Sequence, residues 1–375
     1  MKWRISIVVK SGSKRTRNMA NKKTNSAEFD FNNLFIFEVS KNHAGSVDLG
    51  KRLVREFSKV AKDAGVRAAI KLQFQNLDTY IHPQHRSNDD PRMKRYFSSR
   101  LSEEQFKEIV SEIHKEDLIS MSTPFDEESV DMLDRLSVQV IKIASSSAKD
   151  WPLLKCVVRS KKPVVCSVGG LPLKDIDVLY NFFKENEIDF ALLHCVSMYP
   201  TPEEHMQLHK ISVMKKRYPD ISIGFSTHAP SDNLSAIQLA HALGARLFER
   251  HVAIPDEQLE ENLLFYKIRT YTMTPEQAVK WLASYKEAVA MCGSLNADSV
   301  LPEEKEIQTL KTMMRGVYAR SNLKKGELIK RENVYFAIPL SEGQISSGEW
   351  QEGFVANQTY VPDQAILNNT GTKGK

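Results

Sequence analysis

Eight short apolar runs, each followed by a helix-like stretch, recur between residues 34 and 254 and leave few architectures open. In order they are LFIFEVS from Leu34, AAIKLQF from Ala68, DLISMSTPF from Asp117, VQVIKIAS from Val138, PVVCSVGG from Pro163, DFALLHCVS from Asp189, ISIGFSTH from Ile221 and ARLFERHVAI from Ala245. Runs of this length, rich in branched residues and bounded by polar turns, read as strands buried on both faces. The segments between them carry helix periodicity and helix punctuation. Residues 47–64 place Leu49, Leu53, Phe57, Val60 and Ala64 on one face, with Gly65 to stop the helix. Ser102 with Gln105, and Thr274 with Gln277, have capping-box spacing. Ser231, Asp232 or Asn233 can cap a helix whose apolar stripe is Leu234, Ile237, Leu239 and Leu243. Eight parallel strands with crossover helices, filling roughly 250 residues, is the arithmetic of a closed barrel. An open doubly wound sheet is the competing architecture, but it usually carries a glycine-rich phosphate loop after its first strand, where this chain has KNHAGS. The expected fold is α/β: a (β/α)₈ TIM barrel over residues 34–292, preceded by a flexible basic leader at 1–33. A polar linker at 293–310 and a small β-rich domain at 311–375 complete the expected organisation.

Composition removes several classes of function. The net charge of +5 is a small difference between 52 basic and 47 acidic residues, and much of it sits in Lys10, Lys14, Arg15, Arg17, Lys22 and Lys23. No aromatic residues interleave with those charges, so the leader reads as a solvated tail and no nucleic-acid partner is expected. No apolar run approaches the ~18 residues of a membrane span. The four cysteines, Cys156, Cys166, Cys195 and Cys292, contain no C-x-x-C pair. Buried, reduced thiols and a cytoplasmic location follow as expectations.

A barrel dictates where chemistry must sit, because its active sites lie at the C-terminal ends of the strands. Those ends bear Glu38, Lys71 with Gln73, Thr123, Lys142 with Ser145, Ser167, His194 with Ser197, Ser226 with His228, and Glu249 with His251. A hydroxyl where a loop begins is unremarkable, whereas a buried unpaired charge costs several kcal/mol. Lysines and glutamates inside apolar strands therefore point to a charged site. One histidine near a strand end is ordinarily structural, but His228 and His251 fall at matching ends of adjacent strands, where two imidazoles can share a metal. Lys142 with Thr123, Ser145, Ser167 and Ser226 suits a phosphate. A divalent ion on the two histidines would polarise an aldehyde oxygen, with Glu38 or Glu249 handling protons. The residues by themselves reach metal-assisted chemistry on a phosphate-bearing substrate.

The motifs FEVSKNHAGS, IKLQF, STPFD, IKIASSS, PVVCSVGG, LHCVSMYPTP, IGFSTH and FERH resemble, in order and spacing, those of the sialic acid synthase family. RGVYARSNLKKGELI similarly looks like the antifreeze-like module that ends those enzymes. The resemblance implies a transferase that condenses phosphoenolpyruvate with an amino- or deoxy-aldose, releasing phosphate and forming a nine-carbon ulosonic acid. By the same resemblance His228 and His251 hold a divalent metal, manganese before magnesium or cobalt, and Thr123, Lys142, Ser145, Ser167 and Ser226 contact phosphoenolpyruvate. Glu38, Lys71, Gln73, Tyr199 and Glu249 correspond to other active-site positions, and a homodimer is implied. An acidic residue expected after the eighth strand has four candidates, Asp256, Glu257, Glu260 and Glu261. The chain departs from the family pattern at Ser147 in place of a glutamate, Ser197 in place of an asparagine, and Ile338 in place of an arginine. Those departures leave open a different ulosonic acid, eight-carbon or non-acetylated, or an altered barrel that binds sugar as a scaffold.

Overall fold

The computed structural model describes residues 28–86, 90–255, 268–294 and 301–368 of the chain. Eight strands form one closed, all-parallel barrel: β1 Leu34–Glu38, β2 Arg67–Phe74, β3 Ile119–Pro124, β4 Val140–Ile143, β5 Val164–Ser167, β6 Phe190–His194, β7 Ser222–Thr227 and β8 Leu247–His251. Each pairs with its neighbours in chain order, and β8 returns to β1 with Glu38 opposite His251. This is the expected (β/α)₈ barrel, and it forms because the pleat sorts the apolar runs into two sets. Phe35, Phe37, Ile70, Ile141, Val164, Leu192 and Phe248 face outward and pack under the helices. Leu34, Ile36, Ala69, Met121, Val140, Val165, Ala191, Leu193 and Leu247 fill the interior. Space there is tight: a Cβ on Gly224 would lie 2.4 Å from the carbonyl oxygen of Leu247, so β7 needs glycine at that height.

Helix signals in the sequence act where they stand. Ser46 caps the helix Val47–Ala64, which Gly65 ends in the left-handed conformation, and Ser102 and Gln105 form the reciprocal capping box of Glu103–Lys115. Thr274 and Gln277 exchange the same pair of bonds ahead of Pro275–Cys292. The helix Ser235–Ala242 differs from its expected stripe. It buries Ala236, Ile237, Ala240 and His241, while Leu239 is 53% exposed.

Two boundaries also differ. The sequence expectation puts the leader at residues 1–33, yet the described part of it packs onto the barrel. Phe31 is buried with the interior cluster at the N-terminal end of the strands, Phe29 packs beside it, and the Phe29 amide donates to Asp189 Oδ2. Aromatic side chains there close the lower mouth against water, a role that a short segment outside any strand or helix does not announce in sequence. The basic positions 10–23 lie outside the described residues. The expected linker at 293–310 is interrupted by a helix, Glu304–Met313, that lies within the second unit.

The chain divides between Cys292 and Gly293 into two compact units. The second pairs β9 Gly316–Ala319 with β11 Val334–Ala337, and β10 Leu328–Ile329 with β12 Phe354–Val355, both antiparallel. Val317, Ile329, Val334, Ile345, Tyr360 and Ile366 give it a core of its own.

Candidate active site

Each interior-facing position has a successor two residues on, and one pleat above the apolar layer the chemistry changes. Ile36 is followed by Glu38, Ala69 by Lys71 and Gln73, Met121 by Thr123, Val140 by Lys142, and Val165 by Ser167. Gly224 is followed by Ser226 and His228, and Leu247 by Glu249 and His251. These side chains meet in one cavity of about 480 Å³ at the C-terminal mouth, joined from the loops by Ser145, Ser197 and Tyr199. Each residue given a catalytic, substrate-binding or histidine-ligand role from sequence lines it, while the four acidic candidates after β8 lie outside the described residues. His194, read with Ser197 as part of a strand end, does not line it: it faces outward, stacks on Phe225 and bonds the Met206 carbonyl through Nε2. Ser146 rather than Ser147 lines the cavity, and Ser147 is buried in the turn after β4.

The floor is a lattice of opposite charges. Lys71 Nζ contacts Glu38 and lies 3.1 Å from Glu249 Oε2, while Lys142 Nζ is 3.8 Å from the same oxygen. Lys142 also donates to Ser167 Oγ at 2.6 Å, Ser226 Oγ donates to Glu249 Oε1 at 2.8 Å, and Gln73 Nε2 donates to Glu38 Oε1 at 2.9 Å. Burial alone would push the Glu249 carboxyl up, but Lys142 and Lys71 overcome it and hold the group at about 2. Lys71 is drawn down to about 7, by burial first and by Lys142 as well, against the pull of Glu249. Ser145 Oγ accepts from the Gly169 amide at 2.9 Å and touches Cys195 Sγ at 3.1 Å. Thr123 Oγ1 is buried without a hydrogen-bond partner among the described residues, which leaves it free for a ligand.

At the rim the imidazoles of His228 and His251 have ring centroids 5.4 Å apart. Burial, first of all, pulls both below the ordinary histidine value, and His228 and Lys71 depress His251 further. His228 Nδ1 is tied to the Val196 carbonyl at 3.0 Å, which leaves the Nε2 lone pair as the ligating atom of the neutral ring. Two neutral imidazoles, one oriented by a backbone carbonyl, are a donor set that fits a divalent cation. Among the described residues no cluster of three histidine, cysteine or acidic side chains is present. Asp256, Glu257, Glu260 and Glu261 lie outside the described residues.

The structure adds residues that sequence reading passed over: Lys41, Arg92, Arg95, Tyr96, Cys195 and Tyr271 also line the cavity. Arg92, Arg95 and Tyr96 come from the helix Pro91–Ser98, spaced i, i+3, i+4 and so on one face. The signal was Asp90-Pro91, a helix start, inside the long excursion after β2. Five cations, Lys41, Lys71, Arg92, Arg95 and Lys142, thus face two carboxylates, Glu38 and Glu249. A site with that excess takes an anionic ligand.

The NeuB family model matches residues 58–264, more than half of the chain. This chain belongs to the NeuB family. It is 28% identical over 318 residues to the pseudaminic acid synthase of Campylobacter jejuni, covering 81% of this chain and 86% of that one. It is 28% identical to the N-acetylneuraminate-9-phosphate synthase of Drosophila melanogaster, covering 82% and 86% respectively. Among solved structures, a spore coat polysaccharide biosynthesis protein E of Chromobacterium violaceum superposes with a TM-score of 0.83 at 38% identity, covering 90% of this chain and 98% of that chain.

Proposed function

We propose that this chain condenses phosphoenolpyruvate with an amino- or deoxy-aldose, adds water and releases phosphate, forming a sialic-acid-like nonulosonic acid. The observation that carries this reading is the juxtaposition in one cavity of a phosphate cradle, built on Lys142, Ser167 and Thr123, with two neutral histidines at the rim. Family membership, with relatives named as synthases of pseudaminic acid and N-acetylneuraminate 9-phosphate, supports it.

In the reaction, the enol carbon of phosphoenolpyruvate bonds to the aldehyde carbon, whose oxygen takes a proton. Water adds its hydroxyl to the former enol-ether carbon, and the bond from that carbon to the phosphate oxygen breaks. A divalent metal bound by His228 and His251, manganese in our reading with magnesium or cobalt as substitutes, would polarise the aldehyde. Lys142, Ser145, Ser167 and Thr123 hold the phosphate and carboxylate of phosphoenolpyruvate by charge-assisted hydrogen bonds, with Ser226 beside them bound to Glu249. Lys71, drawn to about 7 and touching Glu38, is poised to pass a proton to the aldehyde oxygen. Glu249, held ionised, balances the two lysines rather than donating. Gln73 fixes the Glu38 carboxylate, and Tyr199, whose ring centroid is 4.1 Å from that of His228, walls the sugar side with Ser197.

The second unit is read as an antifreeze-like module, the chain as a homodimer, and the four free cysteines as those of a cytoplasmic enzyme. Ile338 stands where the family pattern carries an arginine, and an apolar side chain there donates no hydrogen bond, so a non-acetylated aldose is favoured. Phosphate release from phosphoenolpyruvate with manganese and a panel of aldoses tests the reading, with product mass to count the carbons. One phosphate per product is expected; metal-loaded protein that turns over no aldose would overturn it.

A further inference from the structure

The loop cations at the cavity mouth have no part in the reaction just described. Lys41 follows β1 and is only 8% exposed, so it is not a solvated surface lysine. Among the described residues no carboxylate lies within ion-pair reach of its ammonium, which sits over the Tyr96 ring, 5.8 Å from Nζ to the centroid. Arg95 is part-buried, and again no described carboxylate pairs with it. Its Nη2 donates to Asn42 Oδ1 at 3.1 Å, and Asn42 Nδ2 in turn donates to the Val252 carbonyl at 2.8 Å. The guanidinium is therefore held in place by a relay across the barrel rim while its other N–H groups remain available.

Both cations line the same cavity as His251 and Tyr271. Among the described residues, the two carboxylates that line the cavity are engaged elsewhere, Glu38 with Lys71, and Glu249 with Lys71 and Lys142. Burial, and then Arg95, draws Lys41 down to about 8, which is the signature of a cation lacking its counter-ion. The relay through Asn42 ends on the carbonyl of Val252, the residue after His251, so Arg95 is anchored at the rim rather than at the Lys142–Ser167 floor. Two like charges enclosed at a mouth, one of them pre-oriented, are costly unless an anion arrives with the ligand.

We propose that Lys41 and Arg95 form an anion subsite for a negatively charged substituent on the acceptor sugar, so that this chain selects an anionic aldose over its neutral counterpart. The ligand chemistry is a phosphate ester or a carboxylate at the end of the sugar remote from the aldehyde. The proposal rests on the synthase reading for the identity of the second ligand, but its test does not depend on turnover.

Titration calorimetry on the full chain compares mannose 6-phosphate, mannuronate and mannose. At least one anionic sugar is expected to bind about tenfold to a hundredfold more tightly than mannose, as one or two charge-assisted hydrogen bonds provide. Its identity separates the phosphate from the carboxylate. Arg95→Gln and Lys41→Met should each collapse that ratio toward unity, whereas Ser167→Ala, on the floor, should leave it in place. With phosphoenolpyruvate and manganese, the ratio of kcat/KM for the anionic against the neutral sugar should fall in parallel. Equal binding of all three sugars by the unaltered protein overturns the subsite, as does an Arg95→Gln variant whose loss appears in KM for phosphoenolpyruvate and not in the sugar ratio. Tight binding of an anionic sugar without any turnover upholds the subsite and sinks the synthase reading; turnover of neutral sugars with no preference does the reverse.

Discussion

Glu249→Gln keeps the shape of a buried side chain and removes the charge on which two lysines depend. Its Oε2 lies 3.1 Å from Lys71 Nζ and 3.8 Å from Lys142 Nζ. With an effective dielectric of about 20, each contact carries a gross Coulomb attraction of about 4–5 kcal/mol. The net loss is smaller, because the amide still accepts from Ser226 and because Lys71 keeps its contact with Glu38. Removing one partner of a buried pair costs about 3–5 kcal/mol, and the lower end fits a site with these remaining partners. In a barrel of this size that corresponds to a fall in Tm of about 6–12 °C. The pH dependence follows from Lys71, whose folded pKa of about 7 lies below its unfolded value. Between the two values the unfolded chain binds the extra proton, so stability rises with pH above about 7. Without Glu249 the folded pKa drops further and that rise begins at lower pH. The deficit of the variant is therefore full at acid pH, where Lys71 is charged in both proteins. It shrinks as pH climbs through the variant's folded pKa toward 7, leaving the part due to Lys142. Thermal melts followed by circular dichroism at about pH 6 and 8.5, with chelator present to exclude metal effects, measure both quantities. A Tm within about 2 °C of the unaltered protein at pH 6 would refute the account of the floor as a charge lattice centred on Glu249.

Three further outcomes follow from the same geometry. His251→Ala is expected to lower divalent-metal occupancy, read by elemental analysis, and to abolish turnover with it; full activity in the metal-stripped variant would contradict the role given to the histidine pair. Ser167→Ala removes the 2.6 Å partner of Lys142 and should raise KM for phosphoenolpyruvate about tenfold, the worth of one hydrogen bond to a charged group. An unchanged KM would place the phosphate elsewhere in the cavity. Phe31→Ala empties a buried ring from the lower mouth and should cost about 3 kcal/mol in urea unfolding, while an unmoved midpoint would show that the barrel does not need the plug.

What the sequence disclosed and what it hid divide along a physical line. Strand residues were legible because a closed barrel fixes their register, and a period of two then decides which side chains face inward. Once Ile36 and Leu247 are read as interior, Glu38, Glu249 and His251 have no other direction to point. Loop residues obey no such period. Lys41 and Arg95 reach the cavity through Asn42, whose anchor at Val252 is 210 positions away, and contacts of that range leave no local trace. Phe29 and Phe31 join the interior cluster by the same kind of long-range return, which is why their segment reads as leader. The expected stripe of the helix Ser235–Ala242 holds at Leu234, Ile237 and Leu243 but fails at Leu239 for a related reason. With Pro275–Cys292 packed against it, small residues such as Ala236 and Ala240 take the buried face and Leu239 turns outward. Hydropathy ranks side chains by size as well as polarity, while a close helix pair selects for smallness. One hidden feature still carried a readable cue. Asp90-Pro91 starts a helix, and the i, i+3, i+4 spacing of Arg92, Arg95 and Tyr96 puts all three on one face of it. The barrel thus constrains the floor of its cavity through the backbone alone, whereas the loop residues at the mouth take positions that only tertiary contacts define.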